Sequence, residues 1–303
     1  MRLQYLTTKV LKRTLVELKI LGWEINRIFR KSVTVSTKQG VFTVSMADDA
    51  IGKSLYVNGQ FEFDFMTDTV AFLRSIQKCP PKGKGTIVDI GANSGVISIG
   101  MLHTGEMEKA IAIEPEPTNF MLLQRNVRLN GLEDRVICLP NAASHQKGEI
   151  AFELSDTNYG DHRVRINSQS VSIDSNERYH ESHRRVITVQ ADQVDNLLTD
   201  LPEPFTQSIA LIWIDVQGYE GYVFRGAKGV LAKGIPVVAE IWPYGIKRAG
   251  MTQEQFCAIA SSIWANYWVW RRGHFVRYPI HTLDIFFDEL GYDGGFDNII
   301  FAQ

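Results

Sequence analysis

Cysteine is scarce in this chain of 303 residues, and the three that occur (Cys79, Cys138 and Cys257) lie far apart. No Cys-x-x-Cys pair and no Cys/His pair has metal-ligand spacing, so neither a disulfide framework nor a zinc site is predicted. The chain also lacks a run of about 18 apolar residues, the length that a transmembrane helix needs. No secretory signal is recognisable at its start. Together these absences favour a cytoplasmic protein.

An excess of charge of one sign is missing as well, because 32 basic residues face 34 acidic ones and the net charge is −2. With this balance and without a sustained basic stripe, the chain is not expected to bind nucleic acid. The first 31 residues differ, since they carry eight basic residues against only Glu17 and Glu24.

Apolar residues in this basic segment recur every three to four positions, which predicts one face of a helix. They are Leu11, Leu15, Leu18, Ile25 and Phe29. Such a face most often packs on its own domain or on a second subunit of a homo-oligomer. Because basic amphipathic helices also bind anionic lipid, peripheral contact of residues 1–31 with the inner face of a membrane is the alternative.

From Lys84 onward, short apolar runs alternate with helical patterns, as is typical of a parallel sheet with crossover helices. Strands are predicted at 86–90, 109–113, 135–139, 210–215, 236–241, 267–271 and 298–301, and helices at 94–102, 117–130 and 219–231. The expected fold is therefore α/β and Rossmann-like, with a mostly parallel seven-stranded sheet and helices on both faces.

Two regions fall outside this alternation. Residues 1–83 are expected to form the amphipathic helix and a small β/helical extension, because β-branched and aromatic residues between 33 and 65 are separated by turn glycines. Residues 155–185 read as a polar insert within the domain of residues 84–303. An excursion of this length inside a compact domain is usually functional or flexible.

A strand runs into a glycine-containing turn at residues 88–95, and the next strand ends in an acid. Gly91 and Gly95 let the backbone turn sharply and approach a ligand closely. Glu114 is placed to accept hydrogen bonds from the ribose hydroxyls of an adenosine. These residues predict a site for a nucleoside-type cofactor, although acids in such turns can also serve only as caps.

A dinucleotide-binding oxidoreductase uses the same plan, but its fingerprint is G-x-G-x-x-G. The stretch from Gly91 to Gly95 lacks the central glycine that admits a pyrophosphate. Asp89 would repel a phosphate and would suit the cationic sulfonium and the amino group of S-adenosylmethionine. S-adenosylmethionine is therefore favoured as the cofactor over a nicotinamide dinucleotide.

Two further acids, Asp215 and Glu240, follow the fourth and fifth predicted strands, and Trp242 stands next to the second of them. Ligands of open parallel sheets bind at the carboxyl ends of strands, so both acids are candidate catalytic residues and Trp242 a candidate substrate contact. Either acid can instead cap a helix or belong to a buried ion pair.

The insert offers a second set of substrate contacts. Asn158, His162 and Arg163 can hydrogen-bond a polyhydroxylated or anionic acceptor. His162 is also a candidate general base, since the pKa of an unperturbed imidazole lies near cellular pH. The alternative is a solvated loop without a chemical role.

With these motifs together, the chain resembles the FkbM family of methyltransferases over about residues 50–303. The segments that carry the likeness are 55–62 (LYVNGQFE), 88–95 (VDIGANSG), 113–119 (IEPEPTN), 141–143 (NAA) and 214–221 (IDVQGYEG). The resemblance implies a class I methyltransferase fold and O-methylation of a saccharide, a glycan or a glycosylated small molecule. It also implies a cofactor site lined by Asp89, Gly91, Asn93, Gly95, Glu114 and Asn119, with Asn141 and Ala142 near the adenine.

The chain departs from the family pattern at three positions. The family commonly has a lysine two residues before Asp215 and an acid two residues after it, where this chain has Trp213 and Gln217; His145 also replaces a frequent acid. Because few acids remain to bind a hard cation, no metal is predicted. The departures keep a non-catalytic protein that binds S-adenosylmethionine, or a scaffold, as an alternative to the enzyme.

Overall fold

The computed structural model describes residues 2–166 and 181–303, with side chains from Arg13 onward except that of Ser182. An eight-stranded sheet forms its centre. In order across the sheet, the strands are β5 (Val136–Leu139), β4 (Lys109–Ile113), β3 (Thr86–Ile90), β10 (Ile209–Ile214), β11 (Val237–Ile241), β14 (Asp297–Ala302), β12 (Asn266–Arg271) and β13 (His274–Pro279). The first five run parallel, and β14, β12 and β13 pair antiparallel. The expected α/β, Rossmann-like fold is confirmed.

The predicted count of seven strands is one too low. The missing strand, β13, lies at the edge of the sheet and has no fully buried residue, so it shows none of the continuous apolar character of an inner strand. It is joined to β12 by Arg272 and Gly273, both with positive φ, as a tight hairpin turn requires.

Helices cover both faces of the sheet. They are α1 (Arg2–Phe29), α2 (Ile51–Asn58), α3 (Phe63–Ser75), α4 (Val96–His103), α5 (Pro117–Leu129), α6 (Val194–Thr199), α7 (Glu203–Thr206), α8 (Glu220–Gly226), α9 (Lys228–Leu231), α10 (Pro243–Arg248), α11 (Gln253–Ile263) and α12 (Leu283–Leu290). The predicted helix 219–231 is divided between α8 and α9. At the end of α8, Gly226 packs so closely against the Ser144 carbonyl that an added Cβ would lie 1.8 Å from its oxygen.

A second, smaller sheet lies between β5 and β10 along the chain. Its order is β6 (Ala142–Ser144), β9 (Arg185–Gln193), β7 (Gly148–Leu154) and β8 (Arg163–Val164). The predicted polar insert, residues 155–185, therefore begins after one strand of this sheet and ends within another. Residues 167–180 of the insert lie outside the described part of the chain.

The N-terminal region adds a hairpin of β1 (Ser32–Thr37) and β2 (Gly40–Ser45). The side-chain amides of Asn126 on α5 and of Asn130, which caps its end, bind the backbone of Thr43 and Val41 on β2. Buried side chains of the hairpin, α2 and α3 join the same core as β3. The division of the chain at residue 83 stays a prediction.

None of the helices within residues 2–166 and 181–303 is both long and apolar enough to cross a membrane.

Candidate functional site

The crevice of the main sheet lies between β3 and β10. From β3 the chain continues to β4 on one side, whereas β10 leads to β11 on the other. The loops after these two strands therefore diverge and leave room for a ligand at their carboxyl ends. Two adjoining cavities occupy this position.

The first, which we name the glycine-turn cavity, is lined by the β3–α4 turn and by the segments that follow β4 and β5. Of the predicted cofactor residues, its wall contains Asp89, Gly91, Asn93, Glu114, Asn119, Asn141 and Ala142. Gly91 has a φ of +85°, and a Cβ there would lie 1.9 Å from the Asp215 carbonyl oxygen. Only glycine permits this approach between the β3 and β10 loops.

Gly95 lines neither cavity, which corrects the prediction that it contacts the cofactor. It begins α4 with a φ of +88°, and an added Cβ would lie 2.7 Å from Leu123 Cδ1. Its role is to let α4 pack against α5.

The Glu114 carboxylate is buried at the end of β4. Its two oxygens accept hydrogen bonds from the backbone N–H groups of Asn93, at 2.9 Å, and Glu116, at 2.8 Å. Each oxygen keeps a second lone pair. Burial raises the pKa of Glu114 to about 8, against these two N–H bonds, which lower it.

Asp89 lies beside this acid, and one of its carboxylate oxygens accepts bonds from the N–H group and the hydroxyl of Ser98. Burial raises its pKa to about 6, and the neighbouring Asp215 adds to the rise. Two buried acids as close together as Asp89 and Glu114 favour a cationic group on the ligand.

The Tyr159 backbone ties the insert to this cavity. Its carbonyl accepts bonds from the side-chain amides of Asn93, at 2.8 Å, and Asn119, at 3.2 Å. Its N–H group donates to Asp48. The Asn119 Oδ1 atom is buried and has no hydrogen-bond partner among the described residues, so the wall keeps one unused acceptor.

The second cavity, which we name the acid-lined cavity, contains both predicted catalytic acids, Asp215 and Glu240, and the predicted contacts Asn158 and Trp242. Glu62 and Asp161 complete its acidic wall. Glu62 and Asp215 also line the glycine-turn cavity, so the two cavities adjoin at these side chains.

Gln217 links the two predicted acids. Its Nε2 atom donates to Asp215 Oδ1 at 2.6 Å and to Glu240 Oε2 at 3.0 Å. Burial raises the pKa of Asp215 to about 6, although the bond from Gln217 lowers it. Burial and the charge of Asp215 raise the pKa of Glu240 well above its ordinary value.

His162 lies in the glycine-turn cavity and not in the acid-lined one. Its Nδ1 atom accepts a bond from the Ser155 N–H group at 3.0 Å, which leaves the proton of the neutral ring on Nε2. Burial lowers the pKa of His162 to about 4. Position and pKa both contradict the expected roles of general base and acceptor contact.

The structure also contradicts the predicted contact of Arg163 with the acceptor, because the Arg163 side chain is only 1% exposed. Its guanidinium pairs with Glu153, Asp161 and Glu181 at 2.9, 2.9 and 2.5 Å. The cation also lies over the Trp242 ring, 5.2 Å from its centroid. Arg163 therefore holds the wall of the acid-lined cavity and does not reach into it.

Trp213, where the family commonly has a lysine, is buried in the wall of the glycine-turn cavity with its ring edge-on to that of Phe65, 5.7 Å between centroids. The ring joins an aromatic cluster between α3 and the sheet, so no cation faces Asp215 from this position.

Glu62 is the acid that sequence reasoning missed. It precedes α3 with a φ of +50°, and burial together with Asp215 raises its pKa to about 7. A signal for Glu62 was its place at the end of the segment 55–62, but that segment contributed only to the family resemblance.

The sequence of residues 89–267 matches the Methyltransferase FkbM domain. The 2-O-methyltransferase NoeI of Sinorhizobium fredii is 28% identical over 172 residues, which cover 55% of this chain and 67% of that protein. The methyltransferase sdnD of Sordaria araneosa is 27% identical over 182 residues, which cover 53% and 68%.

Among solved structures, the tRNA m1G37 methyltransferase of M. jannaschii aligns with a TM-score of 0.43 and 12% identity, over 90% of this chain and 57% of that one. P. horikoshii TYW2, in complex with MeSAdo, aligns with a TM-score of 0.42 and 14% identity, over 89% and 70%. Because the matched FkbM domain covers more than half of the chain, the protein belongs to the FkbM family of methyltransferases, and its cofactor is S-adenosylmethionine.

Proposed function

We propose that the protein transfers the methyl group of S-adenosylmethionine to a hydroxyl of a saccharide, a glycan or a glycosylated small molecule. The observation that carries this proposal is the placement of Asp215 on the wall of both cavities, with Gln217 joining it to Glu240. A relative at 28% identity bears the name of a 2-O-methyltransferase, which supports oxygen as the accepting atom.

The glycine-turn cavity fits S-adenosylmethionine in the chemistry of its wall. The free lone pairs of Glu114 suit the ribose hydroxyls, and the unused Asn119 oxygen suits a donor on the ligand. Asp89 suits a positive group. When bound, the cofactor supplies a methyl group on a positively charged sulfur that is already activated for transfer. We propose Asp89, Gly91, Asn93, Glu114, Asn119, Asn141 and Ala142 as the residues that hold it.

The acid-lined cavity holds the acceptor in this proposal. Asn158 and Trp242 border it, and an acceptor hydroxyl beside Asp215 faces the junction of the two cavities. Holding the two reactants in line supplies much of the rate enhancement in such transfers.

Asp215 and Glu240 accept the proton of the acceptor hydroxyl in this proposal. The Asp215–Glu240 pair would take up the hydroxyl proton as the methyl carbon exchanges its bond to sulfur for a bond to the acceptor oxygen. Burial, with charge repulsion as a further cause, disfavours full ionisation of this pair, so it binds a proton more readily than a free carboxylate does. A raised pKa is what a general base needs near neutral pH.

We also propose that the reaction needs no metal. The Gln217 amide points its donors between Asp215 and Glu240, where a divalent ion would need oxygen ligands. Treatment with a chelator is therefore expected to leave turnover unchanged, whereas the Gln217→Glu variant, which adds a third carboxylate, is expected to be stimulated by magnesium or calcium. Loss of wild-type activity on chelation, with recovery on adding either ion, would instead make Asp215 and Glu240 metal ligands.

The function is tested by incubating the protein with S-adenosylmethionine and a panel of mono- and oligosaccharides. Formation of S-adenosylhomocysteine together with an O-methylated sugar in the mass spectrum is the expected result. Binding of S-adenosylmethionine without turnover on any acceptor would favour the non-catalytic alternative. Methylation of nitrogen or carbon acceptors alone would contradict the assignment of oxygen.

A further inference from the structure

Helix α1 carries an apolar surface that the rest of the described chain leaves uncovered. Six of its side chains are between 48% and 79% exposed. They are Leu15, Leu18, Leu21, Ile25, Ile28 and Phe29, which we name the α1 apolar face. At the 100° per residue of an α-helix they occupy one continuous arc of roughly 140°.

A different side of the same helix packs on the domain. Trp23 is fully buried, with its ring 5.5 Å from that of Tyr56 on α2, and its indole N–H donates to Asp49. Lys19 donates to the Val57 carbonyl at 3.2 Å. These residues lie roughly 110° to 150° around the helix from the centre of the α1 apolar face, so that face points away from the body of the protein.

A second copy of the chain is a poor match for this face. Of the fourteen large apolar side chains that are exposed within the described residues, eight belong to α1, and the other six are scattered over α5, β9, α12 and the loop before β14. The part of the body that the structure describes therefore offers no apolar patch of comparable size. Pairing of α1 with the same helix of a second chain would bring two basic segments together, because residues 1–31 of each chain carry a charge of +6.

The charge instead matches an anionic surface. With +6 on residues 1–31 and −2 on the whole chain, the remaining residues carry −8. The two acids of α1 are paired, Glu17 with Arg13 and Glu24 with Arg27 and Lys53. Arg30 and Lys31 follow the exposed Phe29 at the end of the helix and are themselves exposed. An acidic body with one basic, apolar helix is attracted to anionic lipid through that helix alone.

We propose that α1 is an in-plane membrane-docking helix, which binds the surface of anionic phospholipid bilayers through the α1 apolar face. The helix is strongly amphipathic with little net hydrophobicity, the combination typical of helices that lie in the interface and do not cross it. The inference does not depend on which acceptor the enzyme methylates.

The test uses the full-length protein and vesicles of phosphatidylcholine, with and without phosphatidylglycerol, in a flotation assay. Binding to the phosphatidylglycerol vesicles that weakens with added salt is expected. The double variant Leu18→Asp and Ile25→Asp should bind at least about a hundredfold more weakly, because two charges replace apolar side chains that the bilayer would bury. The control Ile285→Asp, on the equally exposed Ile285 of α12, should bind as the wild type does.

A second pair of substitutions, Arg30→Gln with Lys31→Gln, leaves the apolar face intact and should weaken binding roughly tenfold. No binding to either kind of vesicle, or equal binding of the wild type and the double aspartate variant, would overturn the proposal. Light scattering of the protein without lipid measures its oligomeric state and tests the remaining alternative. A wild-type dimer that the aspartate variant abolishes would make the face a subunit interface and would also overturn it.

Discussion

The two cavities at the carboxyl edge of the main sheet are built in different ways. The glycine-turn cavity takes much of its wall from two consecutive strand–turn–helix units, which include residues 89–97 and 113–119. The acid-lined cavity is assembled from six short segments scattered between Ala50 and Phe296. Both cavities therefore draw on distant parts of the chain, but only the first contains two such local units. A cofactor site can thus stay constant while the acceptor site changes.

The largest effect is expected where the cavities adjoin. Asp215→Asn keeps the size of the side chain but removes its charge, so turnover should fall by about 100- to 10,000-fold, the usual worth of a general base. Affinity for S-adenosylmethionine, measured by calorimetry, should change little. The exposed Asp134→Asn is the matched control. A fully active Asp215→Asn enzyme would remove Asp215 from the chemistry.

The next effect tests whether the acid-lined cavity relies on its buried ion pairs. Arg163→Met should lower the free energy of unfolding by about 3 kcal/mol, because Glu153, Asp161 and Glu181 lose a buried partner. Urea denaturation measures this, with Arg125→Met on the exposed side of α5 as control. Unchanged stability combined with a raised KM for the acceptor would restore Arg163 as a direct contact.

The glycine-turn cavity is probed through Glu114. At a pH above about 8, where its carboxyl is ionised, Glu114→Ala should weaken binding of S-adenosylmethionine by about 1.5–3 kcal/mol for each charge-assisted bond that is lost. Calorimetry provides the measurement, and the exposed Glu133→Ala provides the control. If the folded variant binds the cofactor as tightly as the wild type, Glu114 is only a cap of the turn between β4 and α5.

The smallest effect is a shift in the pH profile of turnover. Because the pKa of Asp215 lies at about 6, turnover should fall as the pH drops below that value and the carboxylate becomes protonated. Gln217→Met removes the N–H donor that lowers this pKa, so the acidic limb should move up by about one pH unit. The control is Gln190→Met on the exposed side of β9. A limb that stays in place would show that another group controls the rate.

The sequence predicted the elements that local patterns encode. The strands of the parallel part of the sheet, the glycine turn and Glu114 were all visible because each depends on neighbours within a few residues. Glu62 was missed because its approach to Asp215 is made by the tertiary fold, across more than 150 positions of the chain. The exposed edge strand β13 was missed because its residues show no buried run.

His162 and Arg163 show the opposite error. Their chemical types suit an acceptor site, but residue type does not tell where a loop directs its side chains. The short helical turn Tyr159–Asp161 and strand β8 direct His162 to the glycine-turn cavity and bury Arg163 among acids. Burial of this guanidinium among acids from β7 and the insert, one of which also pairs with Arg248 of α10, cannot be read from spacing alone.

The contact between α5 and the N-terminal hairpin also bears on aggregation. An uncovered strand edge offers free peptide groups on which a strand of another molecule can add. Here Asn126 and Asn130 bind both the N–H and the C=O groups of Thr43 and Val41, at 2.7 to 3.3 Å. Two side chains thus imitate a neighbouring strand, and an intruding chain would have to displace four hydrogen bonds before it could pair with this edge of β2.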